Sequence, residues 1–236
     1  MISGDYEKLE TQEKIREATA KYGDAWKDPS IPEKQYELAV KVEIDKYRKG
    51  AGCAPFDAFV RALLHIPNQL DEEKTTLLDV GASSGYYKEV LEIAGFKYSY
   101  TGMDFSPHFK TLAEKLYPGI KFDVGDALNL PYADDSFDIV VSGCCMIHVL
   151  DYEKIIAETA RVASQYALFH RTPVNLVGPT EFFLKKAYDV PCIEIHFNEQ
   201  ELIGLFSKYG LKLVYLTDVF KVDGFAHYEY LLEKTK

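Results

Sequence analysis

A loop containing two glycines is the feature of this sequence with the clearest chemical meaning. Residues 79–85 read Asp-Val-Gly-Ala-Ser-Ser-Gly, and they overlap the end of a short apolar run at 77–80. Glycine takes positive φ values and lets the backbone approach a ligand closely. Such a loop between the end of a central strand and the start of a helix can hold a polar or anionic group of a cofactor. An ordinary turn is the alternative interpretation.

Two further acidic residues follow the predicted strands next along the chain. Asp104 ends the second strand, where a carboxylate can accept hydrogen bonds from two ribose hydroxyls. Asp126 follows the third strand, where a carboxylate can accept from the exocyclic amino group of a purine. With Asp79, these residues place three carboxylates at the ends of three strands. Doubly wound sheets bind their ligands in the crevice at that edge, so the pattern predicts a nucleoside site there.

The kind of nucleoside follows from two details of the loop. A dinucleotide fingerprint has three glycines as G-x-G-x-x-G, and here Ser83 stands in the place of the middle glycine. Asp79, two residues before Gly81, would repel a pyrophosphate but attract an ammonium group. A zwitterionic nucleoside therefore fits better than NAD(P), and a nucleotide-dependent oxidoreductase is the less favoured alternative.

Two histidines are candidates for a general base, which speeds proton removal from a hydroxyl by roughly 10²–10⁴-fold. His148 follows the fourth strand and His170 ends the fifth. Arg171 is a candidate for binding an anionic group of the acceptor, with an ion pair as the alternative. Strand alternation turns either His170 or Arg171 toward the crevice, and not obviously both.

The elements that must position these residues alternate between strand and helix. Strands are predicted at 77–80, 98–104, 120–124, 137–142 and 166–169, and helices at 86–94, 106–117 and 151–164. This alternation of strands and helices predicts an α/β fold with a parallel sheet and helices on both faces. Asn198 is predicted to cap a further helix, and 211–219 and 228–232 to form an antiparallel hairpin.

Two segments lie outside this pattern. Residues 1–74 show helical periodicity without a strand, and we predict that they form a helical cap on a core domain at 75–236. Residues 173–197 are aromatic and irregular, and they contain the candidate substrate residues Tyr188 and His196. We expect a lid-like insert over the crevice, with plain packing or a dimer contact as alternatives.

Composition excludes several classes of protein. The 27 Lys and Arg against 37 Asp and Glu give a net charge of −10, which disfavours nucleic acid and anionic membranes. No run of apolar residues is long enough to span a membrane, and the first eight residues lack a secretion signal, so we expect a cytoplasmic protein. We also expect it to be a monomer or a homodimer. The four cysteines form no CxxC pair and no HExxH motif occurs, which predicts reduced thiols and no metal.

Several motifs together resemble the class I S-adenosylmethionine-dependent methyltransferases, in particular the small-molecule branch called methyltransferase type 11. The similar stretches are 77–85, 102–106, 125–131, 135–140, 147–149 and 158–162. They cover about residues 75–171. The resemblance implies a Rossmann-like sheet of seven strands in the order 3-2-1-4-5-7-6, with strand 7 antiparallel. The family usually has glycine where Ser83 stands.

The resemblance also implies S-adenosylmethionine as cofactor, S-adenosylhomocysteine as product, and a small-molecule acceptor. The implied cofactor-binding residues are Asp79, Gly81, Ala82, Ser83, Gly85, Asp104, Phe105, Asp126, Ala127, Leu128 and Gly143. We favour O-methylation because there are two candidate bases, and a sugar or secondary metabolite as acceptor. A non-catalytic S-adenosylmethionine-binding partner or sensor of the same fold is the alternative.

Overall fold

A computed structural model describes residues 6–67, 70–71 and 73–235 of the chain. The predicted absence of a secretion signal concerns the first eight residues, most of which lie outside this part. Within it, no helix has the length and apolar character that are needed to cross a bilayer.

Ten strands in the described residues form one sheet. They are β1 (Glu7–Lys8), β2 (Thr76–Val80), β3 (Ser99–Asp104), β4 (Lys121–Val124), β5 (Phe137–Gly143), β6 (Ala163–Asn175), β7 (Glu181–Ala187), β8 (Val190–Asn198), β9 (Leu211–Val222) and β10 (Phe225–Lys234).

Most of the sheet is parallel. Strands β4, β3, β2, β5 and β6 are parallel neighbours in that order, β10 pairs antiparallel with β6, and β9 pairs antiparallel with β10. The predicted antiparallel pair at the end of the chain is therefore confirmed. The predicted number of seven strands is wrong, because β1, β7 and β8 extend the sheet further.

The additional strands come from segments in which no strand was predicted. Residues 181–198 form the antiparallel hairpin β7–β8 instead of an irregular insert. Strand β8 pairs with Val174 and Asn175, beyond the last residue of β6 that pairs with β5. Strand β1, in the segment predicted to be only helical, pairs with β7. The hairpin therefore extends the sheet past the carboxyl end of β5.

Eight α-helices occur in the described residues. They are α1 (Gln12–Tyr22), α2 (Ile31–Gln35), α3 (Lys41–Arg48), α4 (Ala54–Leu64), α5 (Tyr87–Ile93), α6 (Pro107–Leu116), α7 (Tyr152–Val162) and α8 (Glu199–Lys208). A π-helical segment, Tyr36–Val40, connects α2 to α3. The predicted cap of α8 is confirmed, because the Asn198 side chain accepts from the Glu201 N–H at 2.8 Å.

The central strands are apolar at consecutive positions because both faces of the sheet are covered. Leu78 and Val140 belong to a core cluster that includes residues of α7 and α8, whereas Leu77 and Ile139 belong to a second cluster with residues of α4 and α5. Successive residues of a strand point to opposite faces, so only a sheet buried on both faces requires consecutive apolar residues. This layering leaves the carboxyl ends of the strands uncovered, and open α/β sheets bind their ligands at that edge.

Candidate functional site

A crevice of about 980 Å³, including the solvent at its mouth, lies at the carboxyl ends of the parallel strands. Its lining residues are Gly23, Trp26, Gln35, Gly81, Ser83, Tyr86, Tyr87, Met103, Asp104, Phe105, Phe109, Gly125, Asp126, Ala127, Gly143, Cys144, Cys145, His148, Val149, His170 and Arg171.

The loop after β2 is shaped by contacts within the protein as well as by the crevice. Gly81 has a φ of 75°, and a Cβ added there would lie 2.6 Å from the Cβ of Cys145. Ser83 takes a φ of 54°, which is uncommon for a residue other than glycine. Its backbone N–H donates to Asp104 at 3.0 Å, and its hydroxyl donates to Gln35. Serine therefore keeps the left-handed turn of this loop and joins it to the N-terminal helices.

Asp104 and Asp126 both line the crevice, as predicted for a nucleoside site. The Asp104 carboxylate accepts the backbone N–H groups of Ser83 and Ser106, each at 3.0 Å, and burial raises its pKa to about 6. Asp126 accepts the Leu128 N–H at 2.9 Å through Oδ1. These backbone bonds hold two carboxylates at the ends of neighbouring strands.

Asp79 does not line the crevice, although the sequence places it beside the glycine loop. Its carboxylate is 2% exposed and accepts a 2.7 Å hydrogen bond from the hydroxyl of Tyr100. It lies behind Gly143, since a Cβ built on that glycine would be 4.0 Å from Asp79 Oδ1. Burial raises the pKa of Asp79 to about 7. Of the other predicted cofactor residues, Ala82, Gly85 and Leu128 are also absent from the lining.

A β-bulge brings both His170 and Arg171 to the crevice. In the pairing of β6 with β10, Phe169 faces Tyr230 and Thr172 faces Tyr228, so two residues oppose Glu229 alone. Arg171 has a φ of 53°. A bulge of this kind interrupts the alternation of side chains and redirects one of them. This explains why consecutive residues line the same crevice.

Glu229 occupies the space opposite the bulge and orients His170. Its Oε2 is 2.6 Å from Nδ1 of His170, and its Oε1 accepts the Arg171 N–H at 3.3 Å. Nε2 of His170 contacts the hydroxyl of Tyr87. The carboxylate requires a proton on Nδ1, so Nε2 is the acceptor nitrogen. Carboxylate, imidazole and phenol thus form a chain of hydrogen bonds that ends at the crevice.

His148 also lines the crevice but has a different environment. Its Nδ1–H donates to the carbonyl of Ile193 at 2.5 Å, and its ring lies 4.9 Å from that of Trp26. Burial lowers the pKa of His148 to about 3. An imidazole of this pKa is a weak base, so the structure distinguishes the two histidines that appear equivalent in sequence.

The two predicted substrate residues of the insert do not line the crevice. Tyr188 has a φ of 53°, and its ring contacts that of Trp26. His196 contacts Glu194 at 3.1 Å and packs against Phe183. Because β7 and β8 form a regular hairpin, these side chains engage the hairpin and its neighbours, and their role in substrate binding stays a prediction.

Several lining residues have no local signal in the sequence. Gln35 and Trp26 come from the N-terminal segment, and Tyr86 and Tyr87 come from the start of α5. Gln35 directly precedes the π-helical segment, a distortion that occurs frequently at functional sites. Glu229 lies in a strand with no motif around it. Among the described residues, no group of three or more His, Cys, Asp or Glu could hold a metal ion.

Residues 78–169 match the family described as "Methyltransferase domain". Ajmaline N-methyltransferase of Rauvolfia serpentina is 35% identical over 108 residues, which are 43% of this chain and 36% of that protein. Phthiotriol/phenolphthiotriol dimycocerosates methyltransferase of Mycobacterium leprae is 30% identical over 165 residues, which are 66% of this chain and 60% of that protein. The chain thus spans less than two thirds of these relatives.

A solved structure matches over nearly the whole length of both chains. It is the 1,6-didemethyltoxoflavin-N1-methyltransferase of Burkholderia thailandensis with bound 1,6-didemethyltoxoflavin and S-adenosylhomocysteine. The TM-score is 0.68 at 17% identity, and the match covers 100% of this chain and 97% of the other. At this identity the likeness establishes the fold.

Proposed function

Since residues 78–169 form a domain of the class I S-adenosylmethionine-dependent methyltransferases, we propose that the chain transfers a methyl group from S-adenosylmethionine to a small molecule. One observation carries the proposal. Asp104 and Asp126 line the same crevice as the buried chain of Glu229, His170 and Tyr87. A site for a nucleoside and a site for proton removal are therefore adjacent.

The crevice floor at Gly143 fits a bound cofactor. A Cβ built there would meet no protein atom closer than 3.6 Å, and the backbone is not in the left-handed region. Protein packing therefore does not require glycine at this position, in contrast to Gly81. The missing side chain instead leaves the crevice open between the ends of β2 and β5, where a ligand can rest on the backbone.

The chemistry divides between the cofactor and the protein. S-adenosylmethionine, when bound, supplies an activated methyl group on a sulfonium. Asp104 and Asp126 would accept hydrogen bonds from the ribose hydroxyls and the adenine amino group. Tyr87 and His170 would move a proton from the acceptor to Nε2 of His170, and Glu229 would stabilise the imidazolium through Nδ1. Alignment of the acceptor in a closed crevice supplies the rest of the acceleration.

We further propose that the acceptor atom is an oxygen and that the acceptor is a sugar or another secondary metabolite. The orientation of His170 supports this, because a hydroxyl must lose a proton when it is methylated, and the hydrogen-bond chain from Tyr87 to His170 can take up that proton. The names of the relatives include N-methylation of ajmaline, so identification of the methylated atom by mass spectrometry and NMR decides between oxygen and nitrogen.

The proposed cofactor is tested first by thermal unfolding with S-adenosylhomocysteine and, separately, NAD. At about 100 times its dissociation constant, a ligand stabilises the folded state by roughly 2.7 kcal/mol, or about 5–10 °C for a chain of this size. We expect this shift with S-adenosylhomocysteine alone and its loss in Asp104→Ala. A shift with NAD alone would indicate an oxidoreductase. Release of S-adenosylhomocysteine with any acceptor distinguishes an enzyme from a non-catalytic binder.

Two glycine variants test whether the floor at Gly143 is part of the ligand site. Gly143→Ala should leave the unfolding temperature of the free protein unchanged, because the added methyl group meets His170 and Asp79 only at ordinary van der Waals distances of 3.6 and 4.0 Å. It should lower the affinity for S-adenosylhomocysteine at least tenfold, because Gly143 lines the crevice. Gly81→Ala should instead lower the unfolding temperature, since the added Cβ meets Cys145 and the φ is 75°. Unchanged affinity in Gly143→Ala would place the cofactor elsewhere.

A further inference from the structure

We propose that the acceptor carries a carboxylate or a similar oxyanion next to the methylated atom, and that the Arg171 guanidinium binds it. This rests on the methyl transfer proposed above and names the class of its substrate. The acceptor is then a hydroxy acid whose hydroxyl group meets Tyr87, the end of the hydrogen-bond chain from His170, while its acidic group meets Arg171.

The Arg171 side chain has no partner among the described residues. Its backbone N–H donates to Glu229 and its carbonyl accepts from Cys144 Sγ at 3.9 Å, but the guanidinium forms no hydrogen bond or ion pair within that part of the chain. By contrast, Arg48 pairs with Asp45 and Arg161 pairs with Glu158, each at 2.7 Å. A partly buried cation without a partner is unfavourable, so Arg171 is expected to have one in the working state.

None of the described groups around the guanidinium is bonded to it. Both oxygens of Glu229 are already bonded, one to His170 and one to the backbone of Arg171. Burial raises the pKa of Tyr86, Tyr87 and Cys144, which keeps the two phenols and the thiol uncharged. The carboxylate of Glu43 interacts with Arg171 electrostatically but forms no hydrogen bond or ion pair with it. A direct partner for the guanidinium can therefore enter from the crevice, which Arg171 lines.

The positive charge of Arg171 acts on two neighbouring ionisable groups, His227 and Lys185. Burial and the charge of Arg171 lower the pKa of His227 to about 4. Lys185 lies close enough to Arg171 for the two charges to repel, and its own partner is Glu194. An acidic acceptor would be attracted to this end of the crevice even though the whole chain carries a net charge of −10.

The bulge defines where the acid and the reacting hydroxyl must lie. His170 and Arg171 are consecutive residues that both line the crevice, so the base and the cation are about one residue apart. We infer that the carboxylate lies close to the reacting hydroxyl, so that one acceptor meets both Tyr87 and Arg171. Arginine binds a carboxylate with two parallel hydrogen bonds, which would also fix the orientation of the acceptor.

The first test needs no knowledge of the acceptor. In the free protein, Arg171→Met removes an unpaired charge and should raise the unfolding temperature by about 2–4 °C. Arg16→Met, at an exposed position, is the control for the loss of one positive charge and should produce no change. A lower unfolding temperature in Arg171→Met alone would show that the side chain supports the fold, and it would overturn the proposal.

The second test compares matched probes on protein saturated with S-adenosylhomocysteine. We expect 2-hydroxybenzoate, in which the hydroxyl and the carboxylate are on adjacent carbons, to raise the unfolding temperature further and 2-hydroxybenzamide not to do so. Arg171→Met should lose the response to the acid, and Arg171→Lys should keep a weaker one. Equal responses to the acid and the amide, a response retained in Arg171→Met, or no response to the acid would contradict the proposal. Absence of the S-adenosylhomocysteine shift itself would instead refute the proposed cofactor.

Discussion

Replacement of His170 by Gln is expected to slow methyl transfer by about 10²–10⁴-fold and to leave the affinity for S-adenosylhomocysteine unchanged. The imidazole is oriented by Glu229 at 2.6 Å and contacts the hydroxyl of Tyr87, so it is placed to take the proton that the acceptor loses. Glutamine cannot take up that proton. The rate is measured as release of S-adenosylhomocysteine with an acceptor found by screening.

Two further variants separate a role in proton transfer from a role in folding. Glu229→Gln keeps the shape of the side chain but no longer stabilises a proton on Nδ1, so it should lower the rate with a changed pH profile. His148→Gln alters a histidine of the same crevice whose pKa is about 3, and it should slow methyl transfer by less than about tenfold. If His148→Gln slows the reaction more than His170→Gln, the base has been assigned to the wrong histidine.

The contribution of Asp79 to the stability of the free protein should fall as the pH rises from about 5 to 8, and Asp79→Asn should lack this fall. Burial raises the pKa of Asp79 to about 7, above its unfolded value of roughly 3.9, so the folded state binds the proton more tightly. The stabilisation is complete below the unfolded pKa and is lost as the pH rises through the folded pKa. Between pH 5 and 8 the stability of the original chain relative to Asp79→Asn should fall by about 2–3 kcal/mol, measured by urea unfolding of both proteins at each pH. The buried histidines His148, His196 and His227, whose pKa values are lowered, act in the opposite direction and are present in both proteins.

Tyr100→Phe provides the complementary variant for Asp79. The Tyr100 hydroxyl donates to Asp79 at 2.7 Å and lowers its pKa, partly opposing the effect of burial. Without this hydrogen bond the folded pKa should rise further, and the loss of stability should extend to higher pH. An Asp79→Asn protein with the same pH dependence as the original chain would show that Asp79 is ionised throughout. Asp104, with a pKa of about 6, contributes in the same direction and remains in both variants.

The sequence by itself determined the central strands, the glycine loop and the position of Asp104 and Asp126. These features follow from local residue patterns, which can be read directly from the sequence. Consecutive apolar residues indicate a strand buried on both faces, and glycine followed by a helix indicates a turn at a strand end. Parallel strands then bring their carboxyl ends to one edge, so residues that are distant in the chain meet without further information.

The tertiary structure alone decided which residues complete the site. Glu229 reaches His170 only because β10 pairs with β6, and the bulge that brings His170 and Arg171 to one crevice is a mismatch between two strands. The hairpin β7–β8 was missed because its pairing with β6 and β1 depends on distant strands and not on local periodicity. Asp79, beside the loop in sequence, lies behind Gly143 because side-chain direction depends on packing. These contacts form between segments that are distant in the sequence, so the residue pattern of one segment cannot predict them.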